Sequence, residues 1–382
     1  MKYYTIVIFI FFSFCSCKKE VKQKIIPDIK KLVTQEIEYA TGFTIENHET
    51  YKKIKVTAPW PDAKNAFTYI LYPKGMEKPT LDIPNETLKF IQIPVEKTVA
   101  SSTTDIPILE YLELENKLVG FPHTDYISSE KTRTLIDSGH IAELGNNGHL
   151  NTELTIELAP ELIIGYSAAG DIKTYDLLEK TGIPVVMNGS WMEQHPLGRA
   201  EWIKFVAAFF NKKIEADSIF KNIEKEYKEA TTLAKNTTTS PTVFSGDMFK
   251  DVWYVPGGNS YFAQLLKDAN TDYLWVDNQK TGSIALSFES VLEKAKKADI
   301  WIGSGNSKSL ASLKEKNNRF TFFDAFKNKN VYSYAIKVGE KGGLLYYELG
   351  SIRPDFILKD IIQIAHPELL TDYKPYFFEK LN

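Results

Sequence analysis

The sequence predicts an α/β protein: two Rossmann-like lobes with central parallel sheets, joined by one long α-helix and preceded by a β-rich N-terminal extension. Three observations predict it. Short apolar strands alternate with helical stretches in two series, residues 97–197 and 236–382, the pattern of βα units on a parallel sheet. Between the series lies a 3.6-period apolar stripe, residues 198–235, with no interior glycine or proline. Ahead of both stands a segment rich in Thr, Ile, Val and Tyr and broken by prolines, which reads as an antiparallel layer. A length of 382 residues favours two lobes over one. The formal net charge of -3 lacks the basic excess of a nucleic-acid binder, so no nucleic acid is expected as a partner.

Residues 1–17 carry one positive charge, then an apolar run from Ile6 to Phe14, then small residues. That run is too short to span a bilayer and reads as a signal peptide. Its end, "FCSC", resembles the lipobox of bacterial lipoproteins, although Phe14 and Cys15 replace the usual leucine and small residue. The resemblance assigns lipidation to Cys17 and implies a periplasmic protein anchored to the membrane by lipid; an uncleaved anchor or a soluble secreted form is the alternative. No cysteine follows Cys17, so the mature chain has no disulfide and no thiol nucleophile. Residues 18–96 comprise a polar tether, to about Lys31, and the extension, with strands "GFTIENH", "KKIKVTAPW" and "FTYILYP".

The first lobe places strands at "KTVASS", "KLVGFP", "ELIIGY" and "IPVVMNG", and the second at "PTVFSG", "DVWYV", "DIWIGSG" and "NVYSYA". Between them Trp202, Phe205, Val206, Phe209 and Phe210, then Ile219, Ile223 and Tyr227, trace one helical face. A continuous helix here would be a rod of roughly 50 Å. The units around Glu153 ("NTELTIELAPELIIG") and Glu289 ("SFESVLEKAKKADIWIG") echo one another, each opening a short helix with a glutamate and closing on a strand that ends in glycine.

From about Lys97 to Leu370 this organisation resembles the substrate-binding proteins of bacterial ABC importers for iron chelates, haem and cobalamin. The residues that carry it are "TVASST", "NKLVGF", the two echoed units, "GRAEWIKFVAAFF", "RPDFILKD" and "HPELL". The resemblance implies a monomer that binds a metal chelate between its lobes, without catalysis or a resident cofactor. It also implies delivery to an ABC permease dimer with its ATPase. In that family one glutamate on each lobe docks with permease arginines, and the matching positions are Glu153 and Glu289. A carboxylate in the first turn of a helix also suits the helix dipole alone. A ferric siderophore is the expected ligand, with cobalamin or haem as alternatives within the family.

Parallel sheets bind ligands beyond the carboxyl ends of their strands. That rule selects Ser102, Thr103, His123, Tyr166 and Trp191 in the first lobe. In the second it selects Met248, Trp253 and Tyr254, and His195 in the loop before the linking helix joins them. Aromatic rings beside hydroxyls suit a large, flat, partly apolar chelate, and the same positions also suit packing. Trp275 and Trp301 are expected in the core. The six histidines form no HxH or HExxH spacing, so no site for a bare metal ion is expected. "YVPGGNSYF" reads as an anion cradle or as a turn before a helix cap, and "KGGLLYYELG" as a loop at the cleft rim. Arg199 and Arg353 pair with ligand carboxylates or with the protein's own. The competing class is an exported α/β enzyme, against which stands the lack of a "GxSxG" elbow and of a paired Asp/His cluster. A lipoprotein adhesin that uses the β-layer is a third.

Overall fold

The computed structural model describes Met1 and residues 33–382, apart from Asp82, Asn85, Asn147 and Gly148. Residues 2–32, on which the expected signal peptide, the expected lipidation site Cys17 and the expected polar tether fall, lie outside the described residues. The extension is a five-stranded sheet in chain order: β1 (Val33–Thr34), β2 (Phe43–Asn47), β3 (Lys52–Val56), β4 (Phe67–Pro73) and β5 (Leu88–Ile93). Alternation decides its buried face, with Phe43, Ile45, Ile54 and Val56 turned inward. The first three pairings are antiparallel, but β4 and β5 run parallel, which corrects the expected all-antiparallel layer. The physical reason is the long connection, residues 74–87, which has room to cross over. Glu86 pins that crossover by accepting hydrogen bonds from Lys55 Nζ at 3.1 Å and Thr68 Oγ1 at 3.0 Å.

The first lobe is built on β6 (Thr98–Ala100), β7 (Leu118–Phe121) and β8 (Ala142–Glu143), with a small ribbon of β9 (Gly145–Asn146) and β10 (His149–Leu150). It is completed by β11 (Leu162–Gly165) and β12 (Val185–Met187). The main sheet is wholly parallel in the order β12-β11-β6-β7-β8. Every residue of β6, β11 and β12 is buried, as a sheet covered on both faces requires.

The second lobe begins with β13 (Thr242–Ser245), β14 (Asp247–Phe249), β15 (Val252–Pro256) and β16 (Asp272–Tyr273). It continues with β17 (Ser283–Leu286), β18 (Ile300–Ile302), β19 (Val331–Ser333) and β20 (Glu379–Lys380). Its main sheet runs β16-β13-β18-β19-β20, parallel except for the last pair, and β14-β15-β17 form an antiparallel side sheet. In each lobe the strand order reverses at one point, between β6 and β11 and between β13 and β18. Such reversals open a crevice at the strand ends.

The linking segment is three helices where one was expected: Pro196–Glu201, Ile203–Phe209 and Lys213–Ala234. One break falls at Trp202, which keeps helical φ and ψ, and the other at Asn211, whose φ of 57° lies in the left-handed region that ends a helix and that asparagine tolerates better than most residues. The longest piece, 22 residues, spans about 33 Å and not the full rod. The helix Ile203–Phe209 is buried all round, which a one-sided apolar stripe does not anticipate. Trp202 packs on Phe43 of the extension and on Phe205, with ring centroids 4.7 and 4.9 Å apart. Extension and linking segment therefore share one core.

Candidate functional site

The two strand-order reversals face a cleft of about 1050 Å³ between the lobes. On the first-lobe side Ser101 joins the two strands that part: its Oγ donates to Ile164 O at 3.3 Å and accepts from Tyr166 N at 2.9 Å. The Tyr175 hydroxyl donates to the same Oγ at 2.8 Å. Ser102 Oγ and Thr104 Oγ1 share a 2.9 Å hydrogen bond, so the hydroxyl loop after β6 is braced from within. Behind it Asp105 is fully buried, with Oδ1 accepting from Asn188 Nδ2 at 2.6 Å and Oδ2 without a partner; burial pushes its carboxyl up to about 7. His123 is held in a left-handed conformation, φ 57°, because its N–H and that of Thr124 both donate to Glu143, at 2.7 Å each.

On the second-lobe side a group of tyrosines lines the cleft. Tyr334 stacks on Tyr346 at 4.7 Å, and its hydroxyl lies 3.0 Å from that of Tyr347. Burial raises the phenols of Tyr334 and Tyr346 well above their ordinary value, so both stay neutral. The turn before the helix Tyr261–Asp268 is closed by Ser260 Oγ, which accepts from Ala263 N at 3.2 Å.

Arg199 is the one arginine or lysine among the described residues that line the cleft, and no Asp or Glu lines it. Its guanidinium lies 3.7 Å from the centre of the Tyr261 ring. Nε donates to Glu193 O at 3.1 Å and Nη2 to Trp191 O at 2.9 Å. No carboxylate among the described residues pairs with it, and burial lowers its pKa. Arg353, by contrast, is paired with Asp355 at 2.6 Å. A wall of rings and hydroxyls around one uncompensated cation can hold an electron-rich, anionic solute.

Of the residues expected from sequence, Ser102, Thr103, His123, Tyr166, Trp191 and Tyr254 come together in this cleft. Trp253, Met248 and His195 do not. Trp253 belongs to the antiparallel side sheet, where register pairs Trp253 with Met248 and Tyr254 with Asp247. Alternation then turns Trp253 and Met248 into the core and Tyr254 outward. Trp253 is fully buried against Phe244, Trp301, Phe320 and Phe323, and its Nε1 donates to Ser245 O at 3.2 Å. His195 caps the helix Pro196–Glu201: its Nδ1 accepts from Leu197 N at 3.1 Å, and its ring lies 5.0 Å from that of Tyr39. Burial lowers its pKa, which keeps the ring neutral and able to accept. Tyr261 and Tyr346 lie within the stretches read as cradle and rim loop, but not among the residues selected at strand ends; both sit on helices, which that rule does not reach. The stretch expected at the rim supplies Gly342, Gly343, Leu344, Tyr346, Tyr347 and Gly350.

Glu153 and Glu289 are exposed in the first turns of the helices Thr152–Leu158 and Phe288–Ala295, capped by Asn151 and Ser287. Glu289 pairs with Arg319 at 3.1 Å. Among the described residues no three His, Cys, Asp or Glu converge as metal ligands, and no helix is long and apolar enough to cross a membrane.

An uncharacterized lipoprotein of Methanocaldococcus jannaschii is 29% identical over 307 residues, covering 78% of this chain and 71% of its own. A second lipoprotein of that organism is 29% identical over 311 residues, with coverage of 76% and 75%. A possible iron-binding (periplasmic solute-binding) protein of Staphylococcus epidermidis superposes with a TM-score of 0.55 at 19% identity, covering 72% of this chain and 100% of that one. A periplasmic haem-binding protein of Pseudomonas aeruginosa superposes at 0.56 with 16% identity, covering 75% and 98%. At such identities the structural likeness is one of fold. Residues 99–336, more than half of the sequence, match the periplasmic binding protein model, and the chain belongs to that family.

Proposed function

We propose that this protein is the substrate-binding component of an ABC importer, which captures a metal chelate in the cleft and delivers it to the permease dimer and its ATPase. A ferric siderophore fits best, and haem or cobalamin is the alternative within the same class. The observation that carries the reading is the cleft's charge: one guanidinium, several phenols and hydroxyls, and no carboxylate among the described lining residues. A bare divalent cation would meet no anionic ligand there, whereas a metal already wrapped in an anionic shell would find a cation and flat rings. Binding is then the whole task, and no catalytic group is needed.

Glu153 and Glu289 are the proposed contacts to the permease, one on each lobe, both exposed and both at helix starts. Lipidation at Cys17 would hold the protein at the membrane on the periplasmic side, in keeping with relatives that are called lipoproteins. The test is titration of the purified protein with a ferric tris-catecholate, haemin and cyanocobalamin, read by tryptophan fluorescence. Quenching that saturates at one equivalent supports the reading and names the chelate. Absence of quenching by all three, with turnover of a generic ester, would move the protein to the enzyme class.

A further inference from the structure

The matched family region begins at residue 99, so the N-terminal sheet is an addition to it. That addition touches the chain from the end of β12 into the first linking helix at successive points. Tyr69 OH accepts from Met187 N at 2.9 Å. Gly189 passes so close to the loop between β3 and β4 that a Cβ there would stand 2.8 Å from Pro59 Cα. Trp191 Nε1 donates to Pro59 O at 3.1 Å. The buried Glu193 carboxylate accepts from Thr41 N at 2.9 Å, Gly42 N at 2.8 Å and Trp202 Nε1 at 3.0 Å. Glu201, fully buried, accepts from the consecutive N–H groups of Glu38, Tyr39 and Ala40 at 3.0, 2.8 and 2.9 Å.

We propose that the extension is a working part of the cleft: the loop carrying Pro59 positions Trp191, and through it Arg199, against the ligand. This rests on the cleft being the chelate site. Three links make the chain. Pro59 O holds the indole, the held ring meets Tyr166 edge to face at 6.0 Å, and the Trp191 carbonyl accepts from Arg199 Nη2 at 2.9 Å. Neither Ala58 nor Pro59 lines the cleft, so they act on the ligand only through Trp191. An indole without this anchor would be free to rotate about χ1 and χ2, and ordering it again on binding would weaken affinity.

The test uses two variants of the full chain. Gly189→Ala suits the local backbone, with φ of -103°, but places its Cβ against Pro59 Cα and thereby pushes the loop away. Trp191→Phe keeps an aromatic ring and removes the N–H. Each is expected to bind a ferric tris-catecholate at least tenfold more weakly than the wild type. Independently of any ligand, the Trp191 indole N–H, assigned in ¹⁵N-tryptophan spectra by its loss in Trp191→Phe, should exchange slowly in the wild type and at least tenfold faster in Gly189→Ala. Wild-type affinity in Trp191→Phe would overturn the proposal, as would unprotected indole exchange in the wild-type protein. If the wild type binds none of the chelates, the reading of the cleft fails, and the indole exchange alone decides whether the extension positions Trp191.

Discussion

The guanidinium of Arg199 lies 3.7 Å from the centre of the Tyr261 ring, so a cation on the linking segment rests on an aromatic face of the second lobe. This contact, with two backbone carbonyls as acceptors, stabilises a charge that no described carboxylate neutralises. Arg199→Ala should therefore weaken binding of an anionic ferric tris-catecholate by about 1.5–3 kcal/mol, on the order of 10- to 100-fold. It should weaken binding of cyanocobalamin, which is neutral, far less. Parallel calorimetric titrations of the two chelates check the difference. An equal loss for both would mean that Arg199 acts by packing and not by charge.

Trp253 and Tyr254 are neighbours in sequence with opposite surroundings, the first fully buried and the second 42% exposed at the cleft. Trp253→Ala should cost about 3–5 kcal/mol of stability, since it empties a core site among five aromatic rings. Tyr254→Ala should change stability by less than about 1 kcal/mol and weaken ligand binding. Urea unfolding and chelate titration of the two variants separate these effects. Loss of affinity in Trp253→Ala that exceeds its loss of folded fraction would contradict the placement.

Glu348 is buried where the second lobe meets the first, and its carboxylate accepts from Ser128 N at 2.5 Å and Ser129 N at 2.9 Å. Burial above all, with a smaller push from Glu110, raises its pKa from 4.5 to about 7, against the pull of those two donors. The folded protein thus keeps this proton at pH values where the unfolded chain has released it. Its contribution to stability is full below pH 4.5 and is lost as pH rises through about 7. Between those limits the wild type should lose about 2–3 kcal/mol that Glu348→Gln does not lose. Urea midpoints of both proteins at pH 5 and pH 8 measure the gap, and parallel pH profiles would refute the assignment.

Glu153→Lys combined with Glu289→Lys should abolish uptake in a strain that depends on this protein, while the chelate affinity of the purified variant stays within about twofold of wild type. Each single reversal should give a partial defect. The Arg319 pair needs a control, because reversing Glu289 also places two cations together. Arg319→Ala should leave uptake intact.

The echo around Glu153 and Glu289 and the hydroxyl run after β6 were legible because they depend on local order: a cap, an apolar period, a strand end. Six of the nine residues expected at the ligand site line the cleft, five of them for the same reason and Tyr254 by register. Where reasoning from sequence went astray, the deciding fact was register or a distant partner. "DVWYV" reads as one more parallel strand, and only its antiparallel pairing with β14 and β17 sends Trp253 inward and Tyr254 outward. Nothing near residue 193 or 201 reveals that these glutamates receive the backbone of residues 38–42, more than 150 positions away.

By itself the sequence determined the two βα series, the extension ahead of them and the chemistry at the strand ends, because each is set by side-chain order within a few residues. Only the tertiary structure decided where the linking helix breaks, which rings enter the cleft, and that the extension grips the segment carrying Trp191 and Arg199. Those outcomes follow from burial of charged and aromatic groups against partners supplied by distant parts of the chain. A buried carboxylate must find its donors wherever the fold brings them.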